Sequence, residues 1–320
     1  MSNTVDFYDA AMVLWRTVTN IFFREIRPRG TFNIPREGPV IFVAGPHHNQ
    51  FLDMLISLPV YRETGRKVRF MVAAKSMQHR YIGPLGRMLA SIPVVRAQDE
   101  AKSGTGYLSL SNDDPCLIIG HGTKFLSELS PKMQIMLPKT LGSSMAEVAE
   151  VLSDTSLKIK KEFGGDNSKY ILKLREKVKE NQATGKPGVE FKRIPHIDQQ
   201  EMFQHVYECM KSGGCLGIFP EGGSHDRPEL LPLKAGVALM ALGAMASHPG
   251  LKVKIVPVGL SYFHAHKFRS RAVVEFGTPM EIPDMLVDLY REGGPQKRSA
   301  VSQLLNEISN ALKTVTVTCS

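Results

Sequence analysis

The sequence predicts an α/β fold, a mixed and partly parallel sheet flanked by helices, with a β-rich insertion. Three observations predict it. Short apolar runs rich in β-branched and aromatic residues alternate with stretches of helical periodicity, as strands joined by crossover helices do. Between Asp99 and Ser212 the texture changes to short strand patterns separated by turn residues. The 320 residues, 42% hydrophobic and 22% charged, make an ordinary globular chain able to bury a sizeable core.

From Asp6 to Glu25, Tyr8, Ala11, Met12, Trp15, Val18 and Phe22 recur at helical spacing, and Arg24, Arg27 and Arg29 follow. Such a stripe either packs on its own domain or, beside basic residues, lies on a membrane surface. "PVIFVA" (Pro39 to Ala44) reads as a strand and "FLDMLISL" as helical. "VRFMVAA", "IPVVR", "CLGIFP", "KIVPVGL" and "AVVEF" are further strands. Helical patterns from Tyr81 to Leu89, Gln199 to Met210 and Leu233 to Ala246 separate them. Within the middle segment, "CLIIGHGTKFLSEL", "MQIMLP" and "TSLKIKKEF" read as short strands, "YILKLREKVKEN" as a polar helix and "ATGKPG" as a linker. Val301, Leu304, Leu305, Ile308 and Leu312 share one face of a C-terminal helix. The organisation expected is an N-terminal amphipathic helix over 1–30, a core made of 31–98 and 196–320, and an insertion over 99–195.

A formal charge of +9 favours anionic partners: phosphorylated metabolites, the adenine nucleotide end of coenzyme A, acidic lipid surfaces or nucleic acid. No helix-turn-helix, zinc-finger, RNP or P-loop pattern supports nucleic acid, so that option rests on charge alone. The cysteines at 116, 209, 215 and 319 lack Cys-x-x-Cys spacing, which points to free thiols in a reducing compartment and to no metal cluster. No signal-peptide pattern opens the chain. The longest apolar run, "GVALMALGAMA" from Gly236 to Ala246, falls short of the ~20 residues a spanning helix needs.

The stretch "GPHHNQFLDML", Gly45 to Leu55, puts two histidines and an aspartate where an apolar strand turns into an apolar segment. Packing alone favours small apolar residues there, because an unpaired buried polar group costs about 1–3 kcal/mol. A carboxylate at Asp53, one turn into a helix, can reach a ring nitrogen of His48 and fix its tautomer, leaving the other nitrogen for a substrate. That makes His48 a candidate general base. His47 is the rival at the same junction, and a His–Asp pair that merely caps a helix is the bland alternative. In "GIFPEGGSHDRPELLPLKAG", glycines allow close backbone approach to a ligand, and Arg227 and Lys234 would attract its phosphate.

Four ordered blocks, the His48-x4-Asp53 pair, "GRMLASIPVVR" ending in Arg96, "FPEGG" at 219–223 and "VPVGLSYF" at 256–263, together resemble the glycerolipid acyltransferase (PlsC-type) family. "GTKF", "SDTSLKIKKEF", "FPEGGSHDRPELLPLKAGVALMALG" and "HKFRSRAVVEFG" are similar to the fungal glycerol-3-phosphate and dihydroxyacetone-phosphate acyltransferases, so the likeness spans nearly the whole chain. The resemblance implies acyl transfer from acyl-CoA, a co-substrate, to the primary hydroxyl of glycerol 3-phosphate or dihydroxyacetone phosphate, the first step of glycerolipid synthesis. His48 is then the base and Asp53 its orienting partner, with no metal, no other cofactor and no covalent acyl-enzyme. Arg96, Glu221, Gly222 and Gly223 match acceptor-binding positions, and Lys234 a basic position downstream. Many relatives carry "PEGTRS" where this chain has "PEGGSHDR", which leaves open whether Arg227 makes that phosphate contact. The resemblance also implies the cytosolic face of the endoplasmic reticulum membrane. Fungal members continue into membrane-spanning segments whereas this sequence stops at "TVTVTCS", so it is read as a shortened form or fragment.

Acylation of lysophosphatidate is the alternative within the family, and a non-catalytic module binding anionic lipid is the alternative outside it. A serine hydrolase is disfavoured because "GGSHD" lacks the closing glycine of a nucleophile elbow. Cys215 opens an apolar strand, where cysteine usually packs as a small hydrophobe. A metal site on His47, His48 and Asp53 lacks a further ligand at a telling spacing.

Overall fold

The computed structural model describes residues 7–47, 52–80, 82–164, 169–222, 230–263 and 267–316, and of 52, 53 and 169 the backbone. The chain divides into two units, Met1–Val94 with Gln199–Ser320, and Val95–Asp198.

The first unit begins with α1 (Phe7–Phe22), which buries Tyr8, Ala11, Met12 and Trp15, three or four residues apart and so on one face. The helical spacing expected to run to Glu25 stops at Phe22, and Phe23–Arg29 is a strand, β1. β2 (Val40–Gly45) is buried on both faces, which its unbroken apolar run requires. A five-residue 3₁₀ turn, Leu52–Ile56, leads into α2 (Ser57–Thr64), where sequence had suggested helix throughout. β3 (Val68–Ala73), the single turn α3 (Ala74–Met77), the short helix α4 (Ile82–Met88) and β4 (Ile92–Val94) complete this half. Tyr8 ties α1 to β3: its hydroxyl accepts from the Val68 N–H at 2.9 Å and lies 3.3 Å from the Val68 carbonyl.

The second unit holds β5 (Lys102–Ser103), β6 (Tyr107–Leu110), β7 (Leu117–His121), α5 (Phe125–Glu128), β8 (Gln134–Met136) and β9 (Met145–Ser153). β10 (Ser156–Ile159), α6 (Lys169–Ala183) and β11 (Lys192–Ile194) follow. Its strands form a seven-stranded sheet in the order β5-β11-β8-β9-β10-β7-β6, with every pairing antiparallel. Leu108, Ile118, Phe125, Val148, Leu157 and Phe163 belong to a core of its own.

Back in the first unit come α7 (Gln200–Lys211), β12 (Cys215–Ile218), α8 (Gly236–Ser247), β13 (Lys254–Phe263), β14 (Ser270–Phe276), β15 (Met280–Glu281), α9 (Asp284–Glu292) and α10 (Gly294–Val315). The sheet runs β1-β14-β13-β2-β12-β3-β4, with β15 beside β13. β13, β2, β12, β3 and β4 are mutually parallel, while β14 and β15 run antiparallel to β13, so the fold is α/β with a mixed sheet. The alternation along β2 divides two cores. Ile41 and Val43 pack among α7, α8, α9 and α10, and Val40, Phe42 and Ala44 pack with α1 and the Leu52–Ile56 turn. α8 is apolar on every side and nearly wholly covered, as such a helix must be.

Candidate active site

Parallel strands present their carboxyl ends at one edge, where α/β sheets bind ligands. β2 and β12 are neighbours there, with Val43 opposite Ile218, and the residues that follow each strand meet. β2 leads through a cis Gly45–Pro46 peptide to His47, and β12 leads to Phe219, Pro220 and Glu221. The His47 ring lies on Phe219 at a centroid distance of 4.5 Å and an interplanar angle of 22°. Phe219 is in turn stacked with Phe70 of β3 at 6.5 Å. His47 is only 8% exposed, so its ring belongs to the wall of the junction.

Glu221 is 4% exposed, and a carboxylate so deep needs donors to offset its lost hydration. It has two. The His47 N–H donates to Oε1 at 2.8 Å and the Leu231 N–H to Oε2 at 2.8 Å. A Cβ on Gly45 would meet the Leu230 side chain at 2.7 Å, so Leu230 lies directly over the end of β2. Gly222 has φ +73°, a conformation that glycine adopts without steric cost. The stem and amine of Lys234 fill the space a Cβ at 222 would need, and the Lys234 N–H donates to the Pro220 carbonyl at 2.8 Å. An exposed cation therefore lies beside a buried carboxylate at the edge of the sheet.

Of the residues singled out in sequence, Glu221, Gly222 and Lys234 are brought together, and His47 joins them. Lys234 precedes the first turn of α8, which begins at Gly236, by two residues. Arg96 is exposed in the second unit, where it precedes the 3₁₀ turn Ala97–Glu100. His48, Gly223 and Arg227 lie outside the described residues; the backbone of Asp53 is in the Leu52–Ile56 turn and its side chain is outside them. Phe219 and Leu231 were not singled out. Phe219 is visible in "FPEGG" as an aromatic beside the motif, whereas Leu231 contributes a backbone N–H, which no side-chain pattern encodes. Burial pushes the Cys215 thiol up to about 11, so it is not a nucleophile at neutral pH.

A family model described as "Acyltransferase" matches residues 25–128 and 187–261, more than half of the chain. The chain belongs to the acyltransferase family. The interval the match omits falls within the second unit of this acyltransferase. Glycerol-3-phosphate O-acyltransferase 1 of Saccharomyces cerevisiae is 46% identical over 315 residues, covering 98% of this chain and 40% of that protein. Glycerol-3-phosphate O-acyltransferase 2 of the same yeast is 38% identical over 329 residues, covering 97% and 42%. An uncharacterized acyltransferase of Schizosaccharomyces pombe is 43% identical, covering 97% and 44%. The acyltransferase chain thus spans less than half the length of these curated relatives. A solved 1-acyl-sn-glycerophosphate acyltransferase, PlsC, from Thermotoga maritima is 10% identical and aligns over 98% of this chain and 81% of its own with a TM-score of 0.43.

Proposed function

We propose that this acyltransferase moves an acyl group from acyl-CoA to the primary hydroxyl of glycerol 3-phosphate or dihydroxyacetone phosphate, giving a lysophosphatidate-type product. The observation that carries the proposal is 46% identity, across 98% of the chain, to a protein named for that acceptor. His48, held by Asp53, takes the hydroxyl proton as the oxygen attacks the thioester carbonyl. The C–O bond forms, the C–S bond breaks, and the proton passes from the imidazole to the departing thiolate. A positioned base of this kind contributes about 10²–10⁴ in rate. Lys234, Arg227 and the peptides of Gly222 and Gly223 receive the acceptor phosphate, with Glu221 beside them. Acyl-CoA is the co-substrate and no other cofactor takes part.

The same proposal sets the reaction at a membrane surface, the cytosolic face of the endoplasmic reticulum. Supporting it, Phe7, Leu14, Val18 and Ile21 form an exposed apolar ridge on α1, beside its buried face. Phe268, 66% exposed, meets Phe22 edge-on at 6.3 Å, and the Arg269 guanidinium donates to the Asn20 carbonyl at 3.1 Å. Lys267 and Arg269 thereby flank the apolar ridge with positive charge suited to anionic headgroups. Among the described residues no helix is long and apolar enough to cross a membrane.

Steady-state thiol release from a series of acyl-CoAs, with glycerol 3-phosphate, dihydroxyacetone phosphate, lysophosphatidate or no acceptor, tests the proposal. Release that depends on one of the first two is expected. Equal release without acceptor would indicate a thioesterase, and turnover with lysophosphatidate alone would assign the second acylation instead.

A further inference from the structure

The Glu221 carboxylate is bonded differently from a group that simply faces a substrate. Each oxygen accepts a backbone N–H at 2.8 Å, one from His47 and one from Leu231. Those donors belong to segments far apart in the chain: His47 closes the run from β2, and Leu231 lies ten residues beyond Glu221. The side chain therefore fastens Leu231 to Glu221 and both of them to the Pro46–His47 peptide, one residue before His48 in sequence. Leu230 covering Gly45 and Lys234 bonded to the Pro220 carbonyl hold the same segments from other directions.

From this we infer that Glu221 is a positioning residue for acyl transfer, acting through the backbone that carries the base rather than through contact with the acceptor. The inference rests on the proposed role of His48. A glutamine at this position has one acceptor oxygen and an amide that can only donate, so it satisfies one of the two N–H groups and confronts the other with a donor. Misplacement of a catalytic group by about 1 Å costs about 10²-fold in rate, whereas an acceptor contact shared by ground and transition states shows in KM.

Glu221→Gln is compared with the unaltered chain for kcat, KM for glycerol 3-phosphate and the pH dependence of kcat/KM, with folding followed by circular dichroism. The expected result is kcat lower by about 10- to 100-fold, KM within about threefold, and a displaced acidic limb of the pH profile. A tenfold rise in KM at unchanged kcat would make Glu221 an acceptor-binding residue and overturn the inference. A lower kcat with a pH profile superimposable on the original would reduce it to loss of folded enzyme, and also overturns it. If Glu221→Gln does not fold, Leu231→Pro removes one donor and leaves the carboxylate and His47 intact. It is expected to lower kcat at unchanged KM, and a raised KM is the contrary outcome. Should the unaltered chain acylate no acceptor, the proposed function fails while the fastening is still decided by amide hydrogen exchange. Glu221→Gln is expected to accelerate exchange at both His47 and Leu231, and unchanged exchange at both overturns the inference.

Discussion

His47 is the first of two adjacent histidines after β2, and both its ring and its backbone are used. The ring of His47 is used as a flat apolar surface against Phe219, and its N–H is used to hold Glu221. Gly222 shows a similar economy, because its left-handed backbone leaves room for the Lys234 stem. Gly222→Ala adds a Cβ to a backbone that L-residues adopt at a cost of about 1–2 kcal/mol, and it displaces Lys234. A thermal melt is expected to show that loss, and KM for the phosphorylated acceptor to rise. Cys215, buried with its thiol pushed up to about 11, stays protonated at neutral pH. Cys215→Ala is accordingly expected to retain turnover within about threefold, and alkylation of Cys215 in the native chain to remain slow at pH 8. Gly222 and Lys234 were legible in the sequence because a glycine and a cation near a strand end are types that serve anionic ligands, and Glu221 because "FPEGG" resembles the family's acceptor-binding block. The partners of Glu221 were not, since they are peptide groups 174 and ten positions away.

Strands buried on both faces announce themselves, as "PVIFVA" does for β2 and "CLGIFP" for β12. β1 did not, for a physical reason. It is the edge strand of its sheet, and "FREIRPR" carries the charges and the proline that edges tolerate and central strands do not. Its parallel partner β14 is almost 250 residues away, and pairing with it overrides the helical spacing that reaches past Phe22. β9 went unread because "MAEVAEVLS" is rich in helix formers, although Ala146 and Val148 alternate with outward residues as a strand requires. At this scale α1 offers a direct test. The only tryptophan, Trp15, is buried on its inner face, and Tyr8 on the same face holds Val68. Tyr8→Phe leaves the Val68 N–H without its partner and is expected to cost about 1–3 kcal/mol. Trp15 emission should report an earlier denaturation midpoint, and an unchanged midpoint would mean that α1 is held by apolar burial alone.

Over the whole molecule, three hydrophobic cores and a net charge of +9 set the terms for association. The ion pairs of Glu25 with Arg27 at 2.6 Å and Arg271 at 3.4 Å are exposed and contribute little to stability. The excess of positive charge and the apolar ridge of α1 act outward instead. Binding to liposomes containing anionic lipid is expected to be strong at low salt and weak near 1 M, where the screening length contracts to about 3 Å. Leu14→Glu with Ile21→Glu should weaken it at every salt concentration, because both side chains are exposed on α1. Binding that ignores both salt and these changes would assign the surface another partner. The most direct test of the chemistry is glycerol 3-phosphate-dependent thiol release from acyl-CoA by His48→Ala, measured beside liposome binding by the same protein. Release is expected to fall by at least about 10² with liposome binding unchanged, whereas undiminished acylation would contradict the assignment of His48 as the base.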